Sequence, residues 1–213
     1  MNHISKLEKR MDLDKNDGLC IYVDDKFGRL AVMQNDYAFD VFDEFIKDVK
    51  PSNVIEIGTA QGGLTCFLRS VLDKHCPACR LLSYDIIDRP WFTEFKKSNI
   101  DIRIENVFLN EYTDTTDYVK EFIQSPGVTV VLCDGAYKKH EFNLLSNFIK
   151  DGDFILAHDY GADINTFNRD IKGKYWNWCE LVESDIADAV EYNNLKEYRP
   201  DFFFKSVWTC KIK

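Results

Sequence analysis

The chain has 213 residues, of which 45% are hydrophobic, and this is enough for one substantial domain with its own core. Its 36 acidic and 27 basic side chains give a formal charge of −9, which argues against general binding to a nucleic-acid backbone. No apolar run approaches the roughly 20 residues of a membrane span, and the charged N-terminus lacks the apolar segment of a signal peptide. We therefore expect a cytoplasmic protein without a membrane partner.

The seven cysteines are an odd number scattered along the chain, which predicts free thiols in a reducing compartment. The run from His75 to Cys79 contains a Cys-Pro-Ala-Cys spacing that is found in zinc and redox sites. No second Cys or His pair at ligand spacing accompanies it, so we interpret it as a plain loop.

Residues 1–27 are polar and weakly periodic, and we predict an arm that wraps the domain or covers a site. The single domain then spans residues 28–213. Apolar residues recur at helical spacing from Phe39 to Val49, with charged residues on the opposite face, which predicts an amphipathic helix packed on a sheet. Pro51 ends this helix just before the next strand.

The segment from Asn53 to Gly63 joins a short apolar strand to a glycine-rich turn. The β-branched residues of the strand suit a position buried on both faces of a sheet. Glu56 interrupts the apolar run, and because burying an unpaired carboxylate is costly, we expect it at the solvent-facing end of the strand. The glycines let backbone N–H groups approach a ligand at the start of the next helix, predicted from Thr65 to Leu72.

Two classes of cofactor use such a turn. The dinucleotide fingerprint has glycines at its first, third and sixth positions; Gly58 and Gly63 fit, but Ala60 replaces the middle glycine. The S-adenosylmethionine pattern has an acid two residues before one glycine and a second glycine four residues later, which Glu56, Gly58 and Gly62 match. The turn favours S-adenosylmethionine, while a dinucleotide or an incidental glycine turn remains open.

Strands and helices alternate after this turn, which indicates βαβ units and a doubly wound, mostly parallel α/β sheet with helices on both faces. The predicted strands are 80–85, 101–105, 128–133 and 153–157, and the predicted helices are 91–97, 113–124 and 141–149. Beyond Asp159 the alternation stops. There, Tyr175 to Cys179 and Phe202 to Ile212 predict a closing antiparallel strand pair with an acceptor-side elaboration.

Acidic residues follow several of these strands, where ligands bind in such sheets. Asp85 is placed to accept hydrogen bonds from a ribose diol, although Asp88 could take this role. Asp134 ends the fourth strand, and His158 and Asp159 follow the fifth. If those strands are neighbours, the carboxylates converge on one point and suit magnesium, calcium or manganese. Two alternatives are that His158 acts as a general base, or that both acids cap the following helices.

Together these motifs resemble the class I S-adenosylmethionine-dependent methyltransferases, and among them the cephalosporin hydroxylase and rhamnosyl O-methyltransferase group. The segments that carry the resemblance are 28–45, 53–68, 82–88, 133–135 and 155–160. The resemblance implies a Rossmann-like fold of seven strands, the last antiparallel, and O-methylation of a small-molecule or saccharide hydroxyl.

The resemblance also assigns roles by position. The residues that it places around the cofactor are Glu56, Gly58, Ala60, Gln61, Gly63, Asp85, Asn106 and Asp134. It implies a magnesium ion at Asp134 and Asp159, with His158 beside them where relatives often have an acid. Ala136-Tyr137 stands where an Asp-His pair is common, which leaves His140 or His158 as the general base, near Asp134. The histidine in place of an acid puts metal dependence in doubt.

Several alternatives stay open at this level. Tyr175, Trp176 and Trp178 would either wall an acceptor pocket or belong to the core. A fold that binds the cofactor without turnover, and an NAD-type oxidoreductase, are the alternatives to a methyltransferase. Nucleic-acid methylation is disfavoured by the acidic charge and by Asp134 to Tyr137, which lack the motif of amino-methyltransferases. The sequence does not fix the acceptor or the oligomeric state, and a homo-oligomer remains open.

Overall fold

The computed structural model describes residues 6–8, 20–24 and 27–213. Its strands are β1 (Lys6–Glu8), β2 (Cys20–Asp24), β3 (Gly28–Val32), β4 (Asn53–Ile57), β5 (Arg80–Asp85), β6 (Asp101–Ile104), β7 (Phe108–Leu109), β8 (Asp114–Thr115), β9 (Thr129–Cys133), β10 (Phe154–Ala157), β11 (Tyr160–Gly161), β12 (Leu181–Val182), β13 (Lys196–Glu197) and β14 (Thr209–Ile212). Its helices are α1 (Tyr37–Val49), α2 (Gly63–His75), α3 (Phe92–Lys96), α4 (Asp117–Ile123), α5 (Lys138–Leu145), α6 (Ile164–Thr166), α7 (Glu183–Tyr192) and α8 (Pro200–Phe203). A π-helical turn (Phe167–Ile171) and a 3₁₀ turn (Phe204–Ser206) complete the described elements.

A seven-stranded sheet forms the centre of the molecule, in the order β13-β14-β10-β9-β4-β5-β6. The strands from β10 to β6 pair in parallel, whereas β14 is antiparallel to both of its neighbours. The predicted Rossmann-like sheet with a closing antiparallel strand is therefore confirmed. The chain runs outward from β4 to β6 and returns on the other side at β9, so the switch point of the sheet lies between β4 and β9.

Both faces of this sheet carry a hydrophobic core, because successive side chains along a strand point to opposite faces. In β9, Val130 and Leu132 pack into the core beneath α1 and α2, whereas Val131 and Cys133 pack into the core of α4, α5 and α7. This arrangement explains the almost continuous apolar run of that strand and confirms helices on both faces.

A small antiparallel sheet, β1-β2-β3, precedes the central sheet. It packs on α2 through Tyr22, whose hydroxyl contacts Ser70 Oγ at 3.2 Å and whose ring meets Phe67 edge-on. The predicted boundary between residues 27 and 28 falls inside the β2–β3 hairpin. The rest of the predicted arm, residues 1–5, 9–19 and 25–26, lies outside the described residues, and the arm remains a prediction.

Several predicted boundaries differ from the structure by a few residues, and for three elements the structure gives the physical reason. The aromatic run 175–179 is not a strand, and the sheet is closed by β13 and β14 instead. The first part of the predicted strand 202–212 lies in α8, which begins with Pro200, a residue whose fixed φ suits the first turn of a helix. Helix α4 begins at Asp117 rather than Thr113 because residues 114–115 pair with β7.

Among the described residues, no helix is both long and apolar enough to cross a membrane.

Candidate functional site

Two adjoining cavities open at the switch point of the sheet. We call the first the tryptophan cavity: it has a volume of about 270 Å³ and is lined on one side by Trp176 and Trp178. The second, the Asp85 cavity, has a volume of about 290 Å³. Gly58, Ala60, Asp134 and Gly135 line both cavities, so the turn after β4 and the loop after β9 form a wall that the cavities share.

The glycine turn owes its shape to close packing. Gly58 has φ +97°, and a Cβ atom at this position would overlap the backbone carbonyl oxygen of Asp134. Gly62 has φ +81° at the start of α2, and a Cβ atom there would overlap the ring of Phe95. Side chains at these positions would therefore push the turn away from β9 and from α3.

Glu56 is fully buried, so the prediction that it faces solvent at the end of its strand is wrong. Its Oε2 accepts hydrogen bonds from Thr65 Oγ1, at 2.6 Å, and from Ser83 Oγ, which compensate part of the cost of burial. Ser83 also contacts Thr59 Oγ1 in the turn, at 2.6 Å. Oε1 has no hydrogen-bond partner among the described residues, and burial raises the pKa of Glu56 to about 7.

Asp85 lies at the end of β5 and faces the cavity named after it. Its Oδ2 accepts the N–H of Ala60 at 2.7 Å, and its Oδ1 accepts the N–H of Ile87 at 2.8 Å. Because a carboxylate has about four acceptor sites, both oxygens can still accept a ligand hydroxyl. Asn106, which the resemblance places beside the cofactor, lines the same cavity, whereas Asp88 is not among the residues described as lining it.

Asp134, His158 and Asp159 come together because β9 and β10 are parallel neighbours, in which Cys133 pairs with Ala157. His158 Nδ1 lies 3.1 Å from Asp134 Oδ1 and 3.5 Å from Asp159 Oδ1. One ligand atom from each of the three residues lies within 4.8 Å of the others. The structure thus brings together the three residues that were predicted to bind a metal.

The charged side chains of this buried cluster shift one another's pKa values. Burial alone would lower the pKa of His158, but the carboxylates of Asp159 and Asp134 outweigh it and leave the pKa raised. Burial would raise the pKa of Asp159, but the cations of His158 and Lys138 outweigh it and leave the pKa lowered. His158 Nε2 is buried and has no hydrogen-bond partner in the described part of the chain.

Lys138 is a member of the cluster that sequence reasoning missed. Its side chain is only 7% exposed, and its Nζ lies 2.9 Å from both Asp159 Oδ2 and Glu180 Oε2. Asp134 Oδ1 is 3.7 Å from the same atom. The available signal was the spacing of four residues between Asp134 and Lys138, which brings the first turn of α5 back over the end of β9.

Two further side chains fix the carboxylates of the cluster. Gln34 accepts a hydrogen bond from Trp208 Nε1 at 2.7 Å, which orients its amide nitrogen toward Asp134 Oδ2, also at 2.7 Å. Trp176 donates its indole N–H to Asp159 Oδ1 and packs beside the His158 ring. Trp176 is therefore both buried and part of the cavity wall, which combines the two alternatives considered for it.

The remaining predicted residues lie in different places. Gln61 and Gly63 line the tryptophan cavity with the rest of the turn. His140 is exposed on α5, where its ring lies 5.6 Å from that of Tyr112, and it is not among the residues that line either cavity described here. Tyr175 packs against Tyr37 rather than into the tryptophan cavity.

Known proteins share this architecture. The family model Rhamnosyl O-methyltransferase/CmcI matches residues 24–203. An apo structure of CmcI-N160 is 12% identical, covers 86% of this chain and 73% of its own, and has a TM-score of 0.58. A structure of CmcI-D160 with Mg-SAM is 12% identical, and the match covers 86% of this chain and 74% of the CmcI chain with a TM-score of 0.55. A methyltransferase-like protein from Thermobifida fusca YX is 9% identical, and the match covers 83% of this chain and 79% of that protein with a TM-score of 0.52. No curated protein matches the chain in sequence. At these identities the solved structures show the fold alone.

Proposed function

Because this chain belongs to the rhamnosyl O-methyltransferase/CmcI family, we propose that it transfers a methyl group from S-adenosylmethionine to a hydroxyl group of a small molecule or saccharide. The observation that carries the proposal is the wall shared by the two cavities. One cavity offers a carboxylate for a ribose and the other offers aromatic walls for an acceptor, and the glycine turn and Asp134 lie between them. Donor and acceptor would meet at this wall.

The Asp85 cavity takes the adenosine half of the cofactor in this proposal. Asp85 accepts the ribose hydroxyls, and Asn106 and Phe108 border the adenine. The turn from Gly58 to Gly63 lies along the methionine half. Glu56 supports the turn from beneath, because Ser83 contacts both the Glu56 carboxylate and the Thr59 hydroxyl.

The tryptophan cavity takes the acceptor. Trp176 and Trp178 present aromatic rings that suit the face of a sugar or an aromatic ring. The bound cofactor supplies an electrophilic methyl group, so the protein has to align the acceptor oxygen and accept its proton. Asp134 is the candidate for accepting this proton, since its carboxylate lines the tryptophan cavity. His158, the other candidate, lines the same cavity, but the neighbouring carboxylates raise its pKa and favour the protonated ring, so it orients Asp134 through the contact of its Nδ1.

Magnesium is the second cofactor that the family resemblance implies, and CmcI-D160 is described with it. Asp134, His158 and Asp159 lie close enough together to surround one cation. Their donor set does not fit a magnesium ion as it stands, because the Lys138 ammonium lies 2.9 Å from Asp159 Oδ2 and both carboxylates already accept hydrogen bonds from this chain. We therefore assign no step of the reaction to a metal.

The proposed compartment is the cytoplasm. Cys133 and Cys210 are thiols buried in core strands, which supports a reducing environment. The net charge of −9 supports an acceptor other than a nucleic acid.

Calorimetric titration with S-adenosylhomocysteine tests the cofactor assignment. We expect the wild type to bind, and Asp85→Ala to bind about 10- to 100-fold more weakly because hydrogen bonds to a carboxylate are lost. Asp88→Ala is the matched control, since this neighbouring acid is exposed, and it should bind like the wild type. Absence of binding to the wild type would contradict the proposed function, and a loss confined to Asp88→Ala would contradict the assigned ribose site.

A further inference from the structure

Lys138 has a complete set of partners inside the carboxylate cluster. An ammonium group has three N–H donors. Here it meets three acceptors, Asp159 Oδ2 at 2.9 Å, Glu180 Oε2 at 2.9 Å and the carbonyl oxygen of Gly135 at 3.1 Å. Its buried side chain is held in this place from one side by the loop after β9 and from the other by the segment that carries Trp176 and Trp178.

The carboxylates are equally engaged. Asp159 Oδ1 accepts a hydrogen bond from Trp176 Nε1, and Asp159 Oδ2 contacts the Lys138 ammonium. Asp134 accepts Gln34 Nε2 at Oδ2 and faces His158 Nδ1 at Oδ1. Each of these four oxygens therefore contacts a donor from this chain, and a metal ion would have to displace those donors.

The position and the chemistry of the donors also disfavour magnesium. A magnesium ion requires an octahedron of oxygen ligands at about 2.0–2.1 Å, and the third candidate ligand here is an imidazole nitrogen. An ion bound to Asp159 Oδ2 would lie beside the Lys138 ammonium, whose like charge would repel it. The described charged groups at this point are the carboxylates of Asp134, Asp159 and Glu180 and the side chains of Lys138 and His158, so most of the negative charge is already balanced.

We propose that the Lys138 ammonium takes the place of a divalent cation in this chain, so that cofactor binding and methyl transfer proceed without a metal. This inference rests on the proposed methyltransferase function. Lys138 acts as a positioning residue, because its ammonium contacts Asp159 at 2.9 Å and lies 3.7 Å from Asp134, and so fixes both carboxylates beside the tryptophan cavity. Its hydrogen bonds to Asp159, Glu180 and Gly135 use all three of its donors.

Metal binding by the wild type is the first test. The protein is treated with EDTA, desalted and titrated calorimetrically with magnesium chloride and then with manganese chloride. We expect no saturable binding of either ion at millimolar concentration, and the same affinity for S-adenosylhomocysteine with and without EDTA. Saturable metal binding, or an affinity for S-adenosylhomocysteine that EDTA removes, would overturn the assignment of Lys138.

A variant provides the second test. Lys138→Met keeps the length and most of the volume of the side chain, but it frees Asp159 Oδ2 and Glu180 Oε2 and removes the positive charge that would repel a cation. We therefore expect it to gain saturable magnesium or manganese binding. Its metal-free turnover should fall about 100-fold and should recover in part when the ion is added. Lys139→Met is the matched control, because this adjacent lysine is exposed and pairs with Asp185, and neither property should change.

The outcomes separate the two proposals. A folded Lys138→Met protein that binds no metal would contradict the replacement of a cation by Lys138. Should thermal melting show that this variant is unfolded, the wild-type metal titration decides alone. Wild-type protein that binds no S-adenosylhomocysteine would overturn the methyltransferase function, whereas metal binding together with intact S-adenosylhomocysteine binding would overturn only the role of Lys138.

Discussion

At the scale of single residues, the site is built from titratable side chains that are buried and hydrogen-bonded. Glu56 has hydroxyl donors from α2 and β5, and Lys138 has three acceptors from the loops around it. The partners are far away in sequence: Ser83 lies 27 residues from Glu56, and Glu180 lies 42 residues from Lys138. Sequence reasoning identified the acids after the strands but could not identify partners that only the tertiary fold supplies.

The raised pKa of Glu56 predicts that the stability of the protein depends measurably on pH. Burial raises its pKa from 4.5 to about 7 in the folded protein. Between these two pH values the Glu56 carboxyl is therefore protonated in the folded state and ionised in the unfolded state. The stabilisation is complete below pH 4.5 and is lost as the pH rises through about 7. A shift of this size corresponds to about 3 kcal/mol.

Replacing Glu56 by Gln removes this titration. Urea unfolding at pH 5 and pH 8 should show a smaller loss of stability across this range for Glu56→Gln than for the wild type. Glu141 is buried with a pKa also raised to about 7, so part of the slope will remain in the variant. Glu121→Gln, on the exposed face of α4, should keep the whole slope. Equal slopes in Glu56→Gln and the wild type would show that the Glu56 carboxyl does not titrate as described.

At the scale of elements, the turn between β4 and α2 sets the geometry of both cavities. Gly58 brings this turn against the carbonyl oxygen of Asp134, and the end of β9 thereby becomes part of the shared wall. The positive φ of Gly58 and the close approach are separate requirements, and they can be distinguished by comparing Gly58 with another glycine.

Gly152 provides that comparison. It has φ +86°, but a Cβ atom there would meet no described atom within 4 Å, whereas at Gly58 it would overlap the backbone of the loop that follows β9. We expect Gly152→Ala to cost roughly 1–2 kcal/mol from left-handed strain alone. Gly58→Ala should cost roughly 1–3 kcal/mol more and abolish S-adenosylhomocysteine binding, because overpacking moves the turn. Equal destabilisation in urea with intact binding in both variants would contradict the role given to this turn.

The elements themselves were predictable to different degrees. Strands β4, β5, β9 and β10 were found because short apolar runs end at acids or glycines, which is a local signal. The run from Tyr175 to Cys179 alternates like a strand, but Trp176 instead bonds to Asp159 and packs on His158, contacts that local periodicity does not reveal. The β2–β3 hairpin was hidden by the polar composition of the N-terminal residues.

At the scale of the whole molecule, the sheet order brings together segments that are far apart in the chain. The strand ends at Ile57, Cys133 and Ala157 lie side by side, so the glycine turn, Asp134 and His158 meet at one edge. This much followed from the alternation of strands and helices, because parallel strands end at the same edge of a sheet. The contribution of Gln34 and Trp208 did not, since one precedes α1, the other precedes β14, and only the packed fold brings them together.

Transfer of a labelled methyl group tests the central claim most directly. Purified protein is incubated in EDTA with S-adenosylmethionine labelled in its methyl group and with panels of saccharides and small hydroxyl compounds. We predict label in an O-methyl product of at least one acceptor, and transfer about 100-fold slower in Asp134→Ala, which removes a side chain from the wall between the cavities. Binding of S-adenosylhomocysteine without transfer to any acceptor, with or without added magnesium, would contradict the claim and indicate a cofactor-binding fold without turnover.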